Sequence, residues 1–95
     1  MPKVEFEWDP KKAASNLRKH GISFEEAGTV FSDILSFTYD DEVHSQVERR
    51  YATLGMSRRG RVLVVAHTMR GDQVRVISAR EATPHERRWY EEENK

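Results

Sequence analysis

The chain has 95 residues, no cysteine, and a net charge of zero from 16 basic and 16 acidic side chains. The lack of cysteine excludes a disulfide framework and a thiolate metal site, and no apolar run approaches the roughly 20 residues that a transmembrane helix needs. The first residues have neither the charge order nor the apolar stretch of a signal peptide. We therefore expect one domain over residues 1–95, located in the cytoplasm.

The charges are distributed unevenly along the chain. Residues 1–43 carry five basic against nine acidic side chains, whereas residues 44–90 carry ten arginines against four acids. Arginine is suited to bidentate contacts with phosphate, and a basic segment of this kind favours a polyanionic partner. The competing interpretation is that the arginines pair with neighbouring acids on a solvated surface. Charge alone does not separate the two.

A short strand and a helix are predicted at the N-terminus. Apolar and acidic residues alternate over residues 4–8, which is typical of a strand with one buried face. Asp9 and Pro10 are suited to the cap and first position of a helix, which we expect to end near Lys19, before Gly21. The side chains predicted to face inward are Ala13, Ala14 and Leu17.

A second helix and another strand follow. Ser23 and Glu26 have the spacing of a capping box, which predicts a helix that continues to about Asp33. Residues 35–39 then favour a strand. An acidic loop leads to a further predicted strand over residues 48–57.

The most regular pattern is a hairpin in the C-terminal half. Two apolar runs, residues 62–66 and 74–79, flank Gly71-Asp72, which suits a type II′ turn. If Arg70 pairs with Gln73, His67 lies opposite Val76 and Leu63 opposite Arg80, which places His67 and Arg80 on one face. Both faces are apolar in the middle, so we expect cover on both sides, by helices or by a partner. A shift of one residue would regroup these neighbours.

A final helix completes the predicted fold. Thr83 and Glu86 form a second capping-box pattern, with proline at the first helical position, and the helix is expected to run through Tyr90. The element order predicts a small α+β domain. It would contain an antiparallel sheet, built from the N-terminal strand and a meander, with two N-terminal helices and one C-terminal helix.

Taken together, these residues resemble the BrnT-type toxins, the ribonuclease half of a type II toxin–antitoxin pair. The resemblance covers nearly the whole chain. It rests on Phe6-Glu7-Trp8-Asp9, Lys12, Asn16, Lys19 through Ala27, His44-Ser45, Glu48, Arg50, Gly60-Arg61, Thr68, Arg70, Ile77 through Arg80, Glu86-Arg87-Arg88 and Tyr90. Each piece is weak by itself, and the common order and spacing make the signal specific. Ile34 stands where proline is common in such sequences.

The resemblance implies a RelE-like fold and a metal-independent endoribonuclease, without cofactor, that cleaves RNA and inhibits translation. It also implies a BrnA-type antitoxin as partner, in a heterotetrameric complex that binds promoter DNA through the antitoxin. The RNA substrate in such a system can be ribosome-bound mRNA. The alternative from the residues is a non-catalytic module that binds nucleic acid or protein through the same basic sheet.

The catalytic candidates are Arg80, Arg50, Glu48 and His67. Arg80 would stabilise the charged phosphorane, and a salt bridge to Glu86 is the competing interpretation. Glu48 and Arg50 are expected on one face of their strand, as base and phosphate contact or as a surface pair. His67 is an acid or base candidate because histidine titrates near neutral pH. A buried core histidine is the alternative.

The candidates for RNA or phosphate binding are Arg61, Arg70, Lys19, His20 and Tyr90. Lys19 and His20 also suit the C-terminus of the first helix. Of Trp89 and Tyr90, one is expected to pack on the sheet and the other to stack a base, with packing the better interpretation for Trp89. His44 follows the acidic loop, and a structural role is one interpretation of it. The four histidines lack the close spacing of a zinc site, so no metal is expected.

Overall fold

The computed structural model describes residues 4–45 and 47–94. It contains a five-stranded sheet in the order β1-β5-β4-β3-β2 and three α-helices. The strands are β1 (Glu5–Glu7), β2 (Phe37–Asp40), β3 (Tyr51–Met56), β4 (Val62–Arg70) and β5 (Gln73–Glu81). The helices are α1 (Pro10–His20), α2 (Phe24–Thr29) and α3 (Pro84–Glu93), with 3₁₀ turns at Val30–Ser32 and Glu42–His44.

The sheet is mixed, so the prediction of an antiparallel sheet is wrong in one respect. β2 to β5 form an antiparallel meander, but β1 runs parallel to β5, with Glu5 opposite Gln73 and Glu7 opposite Arg75. A strand of only three residues cannot specify its direction or partner through its own pattern. The two helices that follow β1 lead the chain to β2, at the opposite edge of the sheet.

Several element boundaries differ from the predicted ones. β3 begins at Tyr51, so Glu48 and Arg50 precede the strand and the prediction that they share a strand face is wrong. The last helix extends beyond Tyr90 to Glu93. The first helix begins and ends as predicted, because the Asp9 carboxylate accepts from the backbone N–H of Lys11 and Gly21 adopts a φ of 69°.

A β-bulge in the central hairpin changes which residues share a face. Arg70 pairs with Gln73 and His67 with Val76, as predicted. The register then shifts between Ala66 and His67, so that Leu63 lies opposite Glu81 rather than Arg80. One extra residue on β5 reverses the alternation beyond it. The prediction that Arg80 shares a face with His67 is therefore wrong.

Each face of the sheet has its own apolar cluster. The first, on the α1/α2 face, combines Leu63, Val65, Val76 and Ala79 with apolar side chains of the α2 region. The second, on the α3 face, combines Ala52, Leu54, Val62 and Val64 with Tyr90. Cover on both sides was expected from the hairpin, and helices provide it. α3 has only ten residues, and it leaves part of its face open.

Asn16 joins α1 to the sheet. Its Nδ2 donates to the carbonyl oxygens of Ile22 and Ala79, both at 2.9 Å, and its Oδ1 accepts from the N–H of Ala79 at 3.0 Å. β1 pairs with β5 only up to Arg75, so the amide satisfies backbone groups that β1 does not reach.

This position of Asn16 corrects the predicted inner face of α1. Ala13 packs against the core, but Ala14 is exposed and Leu17 is 52% exposed. Asn16 occupies the buried position instead, because the edge of β5 offers backbone polar groups there rather than apolar side chains.

We expect Asn16→Ala to lower the free energy of unfolding by about 2–4 kcal/mol, because it leaves buried backbone groups without partners. Asn16→Asp should be at least as harmful, since a carboxylate cannot donate to two carbonyl oxygens. Urea unfolding measures both. Lys12→Ala, an exposed change on the same helix, is the matched control. Wild-type stability in both Asn16 variants would contradict this role.

Candidate active site

A polar cleft lies on the part of the α3 face that α3 leaves open. Its volume is about 300 Å³, and Ala52, Val64 and Ala66 form its apolar floor. The polar residues that line it are Tyr39, Asp41, His44, Arg50, Ser78 and Arg80. We call this the arginine cleft. The bulge in β5 puts Arg80 here, since it reverses the alternation after Val76.

Arg80 is held by an acid of the last helix. Its two terminal nitrogens donate to the two carboxylate oxygens of Glu86 at 2.7 and 2.9 Å, and Glu86 also accepts from the N–H of Thr83. The Arg80 guanidinium lowers the pKa of Glu86 to about 2, although partial burial opposes it. The salt bridge between Arg80 and Glu86, which was the competing interpretation of the sequence, is thus present. The side chain is 43% exposed, and its remaining N–H groups can meet a phosphate.

Arg50 differs from Arg80 because its charge is not neutralised. Among residues 4–45 and 47–94, no carboxylate pairs with its guanidinium. Its backbone is fixed, since the N–H of Arg50 donates to the hydroxyl of Ser45 at 2.9 Å. Arg50 therefore offers the cleft a half-buried guanidinium that can contact an anion, although the Asp41 carboxylate also lines the cleft.

A neighbouring cavity of about 550 Å³ extends the site. It shares His44 and Arg50 with the arginine cleft and adds Glu48 and Arg70. Glu48 and Arg70 approach each other at 3.7 Å, and both side chains are about half exposed. Glu48 thus faces Arg70 rather than pairing with Arg50.

His44 and Asp41 form a hydrogen-bonded pair at the rim of the cleft. His44 Nδ1 lies 2.8 and 3.0 Å from the two carboxylate oxygens of Asp41. The 3₁₀ turn of Glu42–His44 aligns positions three apart, which brings the two side chains together. Our sequence reasoning missed this pair by treating the acidic segment as a solvated loop. The spacing Asp-x-x-His was the available signal.

Tyr39 supplies a neutral hydroxyl to the cleft. Burial raises the pKa of Tyr39, the charge of Glu86 raises it further, and Arg80 opposes both effects. The phenol therefore stays protonated at neutral pH. Its ring packs against Trp89 at a centroid distance of 5.0 Å, so Trp89 contributes to packing, as expected.

His67 lies on the opposite face from Arg80. It is 4% exposed, its Nε2 is 2.8 Å from the hydroxyl of Thr53, and its ring contacts Phe31 and Tyr51. Burial lowers its pKa from 6.5 to about 4, so the ring is neutral at physiological pH. It lines a separate, largely apolar groove of about 830 Å³. His67 is therefore a buried core histidine, as in the alternative interpretation of the sequence.

The other binding candidates lie away from the cleft. Arg61 is hydrogen-bonded to the buried carboxylate of Glu26, which lowers the pKa of Glu26. Tyr90 is 6% exposed and donates to Asp33 at 2.6 Å, so its ring has no open face for a base. Lys19 and His20 are exposed at the end of α1, whose contacts lie on the opposite face.

The described residues contain no group of three or more potential metal ligands. No helix among them is long and apolar enough to cross a membrane.

Comparison with protein families identifies the relatives of this chain. Residues 8–86 match the family model described as the ribonuclease toxin BrnT of type II toxin–antitoxin systems. The chain belongs to this family. Membership implies a toxin role, with an antitoxin as partner and RNA as target. No curated protein matches the chain.

A solved structure of a BrnT toxin is similar to this chain. The 1.1 Å crystal structure of the Brucella abortus ribonuclease toxin BrnT aligns with a TM-score of 0.65 at 21% identity, covering 85% of this chain and 99% of that one. The match supports the α+β fold with a mixed sheet. At this identity it indicates the fold and not the roles of individual residues.

The buried His67 predicts a pH dependence of stability. Its pKa is near 6.5 when unfolded and about 4 when folded, so between pH 6.5 and pH 4 the unfolded chain takes up the proton and the folded chain does not. The free energy of unfolding should fall between pH 6.5 and 4, by up to about 3 kcal/mol from this group. His67→Gln removes the titration, and urea unfolding at several pH values should show a shallower slope. Exposed His85→Gln is the control, and equal slopes in wild type and His67→Gln would refute the assignment.

Proposed function

We propose that this chain is a metal-independent endoribonuclease toxin that cleaves RNA by attack of the 2′-hydroxyl and thereby inhibits translation. The observation that carries the proposal is the presence of Arg50 and Arg80 in one open cleft of the sheet. Membership of the BrnT family supports RNA as the polyanion. Arg80 and Arg50 are the catalytic arginines in this proposal, and Arg70 is a phosphate contact.

The chemistry needs charge stabilisation at one phosphorus. The 2′-oxygen forms a bond to phosphorus while the bond to the 5′-oxygen breaks, which leaves a 2′,3′-cyclic phosphate and a 5′-hydroxyl. Negative charge grows on the non-bridging oxygens, and donors already in place lower the barrier most. Glu86 orients Arg80 in advance, and Arg50 adds positive charge that no described acid neutralises.

The contact with RNA is expected to extend beyond the cleft. The adjoining cavity leads past His44 and Arg50 to Arg70, a path suited to successive phosphates. Binding through arginine–phosphate contacts weakens as salt rises. The neutral Tyr39 hydroxyl offers a hydrogen bond to a ribose or a base edge.

Family membership also supports a specific partner. We propose a BrnA-type antitoxin that neutralises the toxin in a heterotetramer and carries the complex to promoter DNA. We also propose that the fold is of the RelE-like class, that the chain acts as one domain in the cytoplasm, and that ribosome-bound mRNA is a natural substrate. Co-expression with an antitoxin, followed by mass measurement of the complex, tests the stoichiometry.

Purified wild-type protein should cleave RNA in excess chelator and leave 2′,3′-cyclic phosphate ends. Arg50→Ala and Arg80→Ala should each lower the cleavage rate by about 10²–10³-fold, since each removes a group that stabilises the transition state. Arg80→Lys keeps the positive charge but lacks the planar guanidinium. Its cleavage rate should lie between those of the wild type and Arg80→Ala. Rates are measured by end-mapping of a labelled RNA, with and without translating ribosomes.

Arg18→Ala is the matched control, because it removes the same charge from an exposed position on α1. It should cleave at the wild-type rate. Circular dichroism checks the fold of each variant, since Arg80 also pairs with Glu86. If the protein binds RNA in a salt-dependent way but produces no new RNA ends, with or without translating ribosomes, it is a binding module and not a nuclease. An absolute need for added metal would overturn the metal-independent mechanism.

A further inference from the structure

The arginine cleft requires a group that can take the proton of the 2′-hydroxyl. Arginine cannot serve, because it stays protonated at any physiological pH. Glu48 faces Arg70, and His67 is buried on the other side of the sheet. The titratable side chains that line the cleft, apart from its arginines, are Tyr39, Asp41 and His44. Tyr39 keeps its proton, since its pKa is raised.

We propose that His44 is the general base of the cleavage reaction and that Asp41 orients it. This inference rests on the proposed ribonuclease function and extends it to a catalytic residue. The Asp41 carboxylate can only accept hydrogen bonds, so His44 Nδ1 carries the hydrogen of this pair. In the neutral ring Nε2 is then the acceptor. No hydrogen bond from a described residue occupies Nε2, and the side chain is 63% exposed.

The loop that carries the pair is tied to Arg50. The hydroxyl of Ser45 donates to the carbonyl oxygen of Asp41 at 2.6 Å and accepts from the N–H of Arg50. The N–H of Asp41 donates to the carbonyl oxygen of Arg50 at 3.0 Å. The same network of hydrogen bonds thus positions the loop that carries His44 and the backbone of Arg50, which directly precedes β3. Positioning of this kind is what proton transfer requires.

The proton transfer balances without a further reactant. His44 Nε2 accepts the proton of the 2′-hydroxyl as the 2′-oxygen bonds to phosphorus. The bond to the 5′-oxygen breaks, and the leaving oxygen takes a proton from water. The resulting hydroxide removes the proton from the His44 imidazolium, which restores the neutral ring. Asp41 stabilises the transient imidazolium and keeps its charge throughout.

His44→Ala should lower the turnover rate by about 10²–10⁴-fold, while KM for the RNA stays within about twofold, because a base acts in the transition state. Added imidazole should restore part of the activity of His44→Ala by replacing the missing base. Asp41→Asn should lower turnover by about 10–10²-fold, since an amide no longer fixes the tautomer. His85→Ala, which removes an exposed histidine that does not line the cleft, should leave turnover unchanged.

The outcomes separate this inference from the function on which it rests. If the wild type produces no cyclic phosphate ends, with or without ribosomes, the ribonuclease proposal fails. If the wild type cleaves and His44→Ala cleaves equally fast, only the assignment of the base fails. A large rise in KM with unchanged turnover would make His44 a binding residue. If the turnover of His44→Ala falls and added imidazole does not restore it, while Asp41→Asn cleaves at the wild-type rate, the role of His44 is structural.

Discussion

A β-bulge in the central hairpin determines which side chains of β5 reach each face of the sheet. With one extra residue in β5, Ala79 turns toward α1 and α2, while Arg80 turns into the cleft beside Arg50. Without it, Arg80 would point into the apolar cluster of the α1/α2 face and Ala79 would leave that cluster. A single irregularity of the backbone thus decides both the packing of one face and the charge of the other.

The two faces have different tasks for a physical reason. Two helices cover most of the α1/α2 face, and its buried polar groups include Asn16, the pair of Glu26 with Arg61, and His67, whose Nδ1 has no hydrogen-bond partner among the described residues. The α3 face is closed only in part, because its one helix of ten residues packs around Tyr90 and Trp89 and leaves the rest of the face uncovered. The polar cleft with Arg50 and Arg80 lies on the part of the sheet that α3 leaves uncovered, whereas the larger groove beside His67 is mostly apolar.

Local patterns predicted the elements well where a few neighbouring residues decide the outcome. The caps at Asp9 and Thr83 and the turn at Gly71 depend on contacts between residues close in sequence. The candidate site was predicted less well. Arg80 and Arg50 meet in the cleft, but His67 lies on the opposite face of the sheet. The error in placing His67 beside Arg80 comes from the register of the hairpin, which the alternation of residues in the sequence does not record.

The α+β class, the hairpin and the arginine-rich half could be read from the sequence, and its motifs indicated the BrnT family. These follow from alternation, capping residues and composition, which act over short distances. Tertiary structure alone decided the parallel pairing of β1, the burial of Asn16 and the grouping of His44, Arg50 and Arg80. Those features depend on the register of the sheet and on the area that each helix covers, both set by packing of the whole chain.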